Sequence, residues 1–179
     1  MPSFAFTFIL PLFLFPYAPA GESIYTETVE SISAKRAQYQ AQYTSADSTT
    51  KDSLIKSARA YLLKTVSEDV FPQWYGTPWD FNGTTRTPRQ GQIACGYFVN
   101  NVITDLGFKI PRVKWSQSAS EVFIKKLAPN NIKRFSNTPI KNVKSYLHKS
   151  GDGLYVVGLD IHVGFILVKG NSIKFIHSS

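Results

Sequence analysis

The sequence predicts an α+β domain, a set of helices followed by three antiparallel strands, with a helical hairpin in front of it. Three observations predict this class. Apolar residues recur at helical spacing up to about residue 150. Beyond it the pattern shortens to β-rich runs over 154–159, 161–168 and 172–177. Gly170-Asn171, between the last two runs, is the signature of a tight hairpin turn, so those strands are antiparallel neighbours.

The elements follow in order. Over 22–43, Tyr25, Val29, Ile32, Tyr39 and Tyr43 lie near helical spacing with no Gly or Pro after Gly21, which predicts a helix with a modest apolar stripe. Residues 45–50 form a polar connector. Thr49 with Asp52 is expected to cap a second helix carrying Leu54, Ile55, Ala58, Tyr61, Leu62 and Val66. The hairpin (21–70) then either packs on the following domain (71–179), the favoured reading, or serves as a partner-binding arm. Over 71–88 the texture turns aromatic and rich in Gly and Pro without a period, which reads as an irregular loop. Phe98, Val99, Val102, Ile103 and Leu106 then define a helix with Gly107 at its C-terminal cap. Ser118 with Glu121 opens another, carrying Val122, Phe123 and Leu127. Thr138-Pro139 opens a third, with Val143, Tyr146 and Leu147, ending near Gly151.

Composition narrows the function. With 179 residues, 43% of them hydrophobic, the chain can build one core with appendages. Residues 4–15 are apolar and lead to Ala18-Pro19-Ala20, which reads as a signal peptide (1–20) cut before Gly21, although no Lys or Arg precedes Lys35. The stretch is too short and too broken by Pro11 and Pro16 for a good membrane span. An exported chain with a single cysteine has no intramolecular disulfide and keeps an odd, reactive thiol. The formal charge is +8, and the stretch 109–149 holds ten basic residues against one acid, Glu121. That stretch is either a solvated face or a contact for an anionic surface such as a cell wall or lipid headgroups. No metal-spaced Cys/His cluster, phosphate-binding Gly loop or nucleotide fingerprint occurs, so no cofactor and no metal are expected; no nucleic-acid fold motif accompanies the charge.

Cys95 is the residue on which the chemistry turns. It falls in the first turn of its predicted helix, where free backbone N–H groups and the positive end of the helix dipole favour the nucleophilic thiolate. His162 and His177 arrive later on strands. His162 suits a general base, and His177, on the neighbouring strand, can accept a hydrogen bond from its second nitrogen and fix its orientation. The Cys95 N–H is one candidate oxyanion donor, and Gln90 or Gln92 a second. His148, at a helix end, reads as a surface residue. Trp74 and Trp79 read equally as substrate walls or as core plugs; with Asn82 and Tyr97 they are the candidate substrate contacts.

At these residues the sequence resembles the NlpC/P60 family of cell-wall cysteine peptidases and amidases, within the papain-like group. The motifs are Trp79-Asp80-Phe81-Asn82-Gly83, Cys95-Gly96-Tyr97-Phe98-Val99, Gly151-Asp152, His162-Val163-Gly164-Phe165 and Ile176-His177-Ser178-Ser179, in the family's order. Ala94 stands where the family usually has Asp, and Gly96 where it has Ser. The resemblance implies a papain-like fold, with the nucleophile helix packed on an antiparallel sheet. It also implies hydrolysis of an amide bond in peptidoglycan stem peptides. The same residues would serve a papain-like acyltransferase, and a non-catalytic wall- or polyanion-binding module is the alternative from another class.

Overall fold

A computed structural model describes residues 20–179, with side chains from Ile24 onward; the expected signal peptide lies outside the described residues. No helix among the described residues is long and apolar enough to cross a membrane. The fold is α+β. Helix α1 (Ala20–Ser45) and helix α2 (Ser48–Thr65) form the hairpin, joined by 46–47 alone. The expected cap on Thr49 and Asp52 is replaced by one on Asp47, whose Oδ1 accepts the Thr50 N–H at 2.7 Å. That bond holds the Asp47 carboxyl below its usual range. Asp is among the best N-cap residues, and its position two residues earlier lets α2 start sooner.

Helix α2 does not stop at the expected domain boundary. It widens into a π-turn (Val66–Val70) and continues as the short helix α3 (Phe71–Trp74). The Phe71 N–H bonds to the Val66 carbonyl, five residues back. Pro72 lacks an N–H and its ring would clash in a regular α-turn, so the wider turn lets the chain continue. Residues 71–74, expected in a loop, are therefore helical and carry core side chains.

Helix α4 (Cys95–Asp105) is buried along almost its whole length. It ends in a Schellman motif on Gly107 (φ 93°): Phe108 N–H bonds to Ile103 O at 3.1 Å and Gly107 N–H to Thr104 O at 2.8 Å. Helices α5 (Arg112–Ser116) and α6 (Ser120–Leu127) follow, then α7 (Ile140–Ser150), which stops at Gly151 (φ 83°). Ser118 does not cap α6; its hydroxyl bonds back to Lys114 O, and the N-cap is Ala119. Pro139 is itself the N-cap of α7.

Strands β1 (Gly153–Gly158), β2 (Val163–Lys169) and β3 (Ser172–Ile176) form an antiparallel sheet in that order. Register pairs Phe165 with Val156 on one side and Ile176 on the other. Helix α4 packs on β2, and the contact is aromatic. Phe98 meets Phe165 at 5.9 Å between centroids, and Phe71 meets Phe165 at 5.5 Å.

A polar network runs through this apolar core. Trp74 Nε1 donates to the Tyr25 hydroxyl (2.8 Å), which donates to Asp105 Oδ2 (2.7 Å), while Arg86 binds Asp105 Oδ1 (2.6 Å) and Asn101 Oδ1 (3.0 Å). Burial pushes the Asp105 carboxyl above its usual range, against the pull of Arg86. Burial likewise pushes the Tyr25 hydroxyl far up, so it remains a donor. Tyr25→Phe keeps the ring but leaves Trp74 Nε1 and Asp105 Oδ2 each short of a partner. The expected outcome is a loss of about 1–3 kcal/mol in urea unfolding; an unchanged midpoint would mean that the network contributes nothing.

Candidate active site

Cys95 is the first residue of α4, with Ala94 in extended conformation at its N-cap. It is half-buried and packs against the core cluster that includes Ile93, Val163 and Ile176. Val163 follows His162 in the chain, and Ile176 precedes His177. Each candidate thus adjoins the same extended core cluster, Cys95 directly and the two histidines through a chain neighbour. Among the described residues the thiol makes no hydrogen bond.

The backbone of Ile93 ties the aromatic loop, the entry to α4 and the C-terminal tail to one another. Its N–H bonds to Pro78 O at 2.9 Å, and its carbonyl accepts the Ser178 hydroxyl at 2.9 Å. It also makes β-bridges to both Trp79 and Thr84. The next residue, Ala94, donates to Gly83 O at 2.9 Å. A Cβ on Gly83 would collide with the Gln92–Ile93 peptide, so only glycine permits this approach.

His162 lies one residue before β2, its carbonyl accepting the Leu159 N–H (2.8 Å) to close the β1–β2 turn. Its Nε2 is 3.0 Å from Nδ1 of His177. Phe175 lies flat on His177, with centroids 4.4 Å apart at 19°. Gly164 makes room for this cluster, since a Cβ there would sit 2.7 Å from the Phe175 ring and 3.0 Å from His177 Cβ. Burial first, and the charge of His177 second, hold His162 below the ordinary imidazole value. The pair leaves Nδ1 of His162 available to a second partner. With Nε2–H donated to His177, that free nitrogen is the basic one.

The other predicted residues separate into two groups. Trp74, at 4% exposure, is a core residue bonded to Tyr25 rather than a substrate wall. Tyr97 is also buried, its hydroxyl accepting from Gln117 and its ring facing Arg112. Trp79 and Asn82 are exposed on the segment bridged to Ile93. Gln92 is exposed and Gln90 half-buried; each uses its backbone in the 85–92 loop. His148 is exposed on α7. Sequence reading missed Ser178, Gly164 and Asp105. A glycine inside an apolar strand signalled close approach, and an acid inside an otherwise apolar helix signalled a buried partner; Ser178 was quoted only as a motif neighbour of His177, with no sign of its bond to Ile93. Among the described residues no cluster of His, Cys, Asp and Glu could hold a metal ion.

Comparison with protein families, with curated proteins and with solved structures returns no match to this chain.

The low value of His162 has a consequence for stability. Unfolded chains take up the proton first, so the contribution is intact above about 6.5, the unfolded value, and is lost as pH falls toward the folded value. Urea midpoints are expected to drop between about pH 7 and about pH 5, and to drop less in His162→Gln. Parallel drops in the two proteins would contradict a depressed value.

Proposed function

We propose that the chain is an exported cysteine hydrolase that cleaves an amide bond, with peptidoglycan stem peptides as the substrate. The observations that carry this reading are the His162–His177 hydrogen bond and the half-buried cysteine in the first turn of α4. His162 Nδ1 takes the Cys95 proton as sulfur attacks the carbonyl, becoming an imidazolium steadied by His177. The tetrahedral oxyanion is met by the Cys95 N–H, which has no intrahelical acceptor, with Gln90 or Gln92 as the second donor. His162 returns the proton to the leaving amine, giving a thioester, and then deprotonates the water that hydrolyses it. A neutral His162 at rest suits the first step. No cofactor or metal takes part in this scheme. The order of motifs resembling the NlpC/P60 family supports the wall peptide as substrate and a papain-like arrangement; an acyltransferase would share every step but the last acceptor.

The test is alkylation of the single thiol by iodoacetamide at mildly acidic pH, together with digestion of purified peptidoglycan. His162→Ala is expected to slow alkylation at least about tenfold, and Cys95→Ala to abolish peptide release. Equal alkylation rates in wild type and His162→Ala would overturn the hydrolase and favour the second reading, a non-catalytic wall-binding module.

That second reading draws on the basic stretch, which also supplies an anionic-surface contact for the enzyme. Arg112 turns inward onto Asn101, and Lys125 and Arg134 share Glu121. Lys133 lies over the Phe135 and Tyr146 rings. Lys141, Lys144 and Lys149 of α7 stay exposed and form no ion pair among the described residues. Reversing these three to Glu is expected to abolish low-salt retention on isolated cell walls while leaving the iodoacetamide rate unchanged. Undiminished retention would make α7 a solvated face.

A further inference from the structure

A cavity of about 400 Å³ lies between helix α2 and the end of strand β2. That volume falls within the lower part of the range for small-molecule sites. One face of α2 lines it, through Lys56, Arg59, Ala60, Leu63 and Lys64, whose spacing sets them side by side on the helix. The sheet supplies Leu167, Val168 and Lys169, with Asp152 just ahead of β1. Polar cross-links from α2 and the turn after it to the sheet hold the two walls in place. Arg59 Nη2 donates to the Asp152 carbonyl at 2.6 Å, and Lys169 Nζ donates to Glu68 Oε1 at 2.9 Å. His162 precedes the opposite end of β2, roughly 17 Å along the strand from Leu167 at about 3.4 Å per residue. The cavity is therefore a place of its own, apart from the imidazole pair.

Its lining is of two kinds. Ala60, Leu63, Leu167 and Val168 are apolar, and the last two are buried. The charged residues are four cations, Lys56, Arg59, Lys64 and Lys169, facing Asp152 inside the cavity and Glu68 beside it. Both acids are engaged: Asp152 Oδ1 accepts the Gly170 N–H at 2.8 Å, and Glu68 pairs with Lys169, with Lys64 acting on it from further off. Lys56 and Lys64 form no ion pair among the described residues and stand exposed. A small polar anion gains nothing from the apolar lining, and a neutral chain gains nothing from the cations. We propose that this cavity binds a single-chain amphiphilic anion, its aliphatic body against Leu63, Leu167 and Val168 and its carboxylate or phosphate among Lys56, Arg59 and Lys64. The modest volume suits one chain rather than the two of a membrane lipid. This site does not depend on the reading of Cys95.

The experiment is isothermal titration calorimetry of the full chain with octanoate, octyl phosphate, 1-octanol and acetate. Octanoate and octyl phosphate are expected to bind at least about tenfold more tightly than 1-octanol, which lacks the charge, and than acetate, which lacks the chain. Lys56→Glu/Lys64→Glu is expected to weaken octanoate binding at least about tenfold, since it reverses two of the cations. Ala60→Trp, which fills the cavity from an exposed position of α2, is expected to weaken it as much. Circular dichroism checks that each variant is folded, and either one alone suffices for the test. Octanoate binding that 1-octanol matches, or that a folded variant keeps undiminished, overturns the site. So does the absence of octanoate binding, including the case in which the chain is retained on phosphatidylglycerol vesicles instead, which would make this face a membrane contact.

Discussion

The arrangement of the site depends on how the peptide groups of Ile93 and Ala94 spend their hydrogen bonds. Ile93 is fully buried, so its N–H and carbonyl must find partners inside the protein. They find them on two distant segments, Pro78 before it in sequence and Ser178 far after it. One residue thereby fixes the aromatic loop, the entry to α4 and the C-terminal tail relative to one another. Because Cys95 is only two residues on and His177 adjoins Ser178, neither can drift without breaking a buried bond. An unpaired buried group costs about 1–3 kcal/mol, which is large against the marginal stability of a domain this size.

The far end of α4 is held by a different device. Asp105 sits in the last turn of the helix, where a carboxylate faces the negative end of the dipole and is disfavoured. Burial adds to that penalty, and the site tolerates the acid because Arg86 and Tyr25 both bond it. The consequence reaches the hairpin. Among the described residues of α1, Tyr25 and Ile32 are the two buried hydrophobic ones, and they attach the helix to the core. Beyond Ile32 the helix keeps company mainly with α2, through pairs such as Tyr39 and Tyr61 at 6.3 Å. The hairpin is thus both packed and projecting: its base belongs to the core, and its distal part is exposed on most sides.

Much of the fold was legible because it follows from periodicity. The α4 pattern, the Gly107 cap and the Gly170-Asn171 hairpin are local signals, and local signals survive tertiary context when the packing agrees with them. The α2 cap was misplaced because five Ser, Thr and Asp residues crowd 47–52 and only geometry chooses Asp47. Residues 71–74 were read as loop because Pro72 and the aromatics mimic one, whereas the π-turn absorbs the proline. For the candidate site, spacing identified Cys95, His162 and His177, each a residue type with distinctive chemistry. Trp74 was ambiguous, since the same ring serves a core or a cleft. Its Nε1 bond to Tyr25 joins residues 49 apart in sequence, and no local pattern reports such a contact.

The histidine pair also restricts the protonation states it can hold. Two imidazoles 3.0 Å apart share one hydrogen, so one nitrogen donates and the other accepts. Protonating both rings would place like charges in contact, and the partial burial of His162 makes it the costlier one to charge. Partial burial and the neighbouring ring thus favour the neutral form of His162. A lone imidazole at the same place would lack the partner that restricts its tautomer. Phe175 limits where His177 can turn, and Gly164 leaves the space in which both rings fit. The imidazole pair is thus held by the sheet itself, through the Phe175 ring and the space at Gly164.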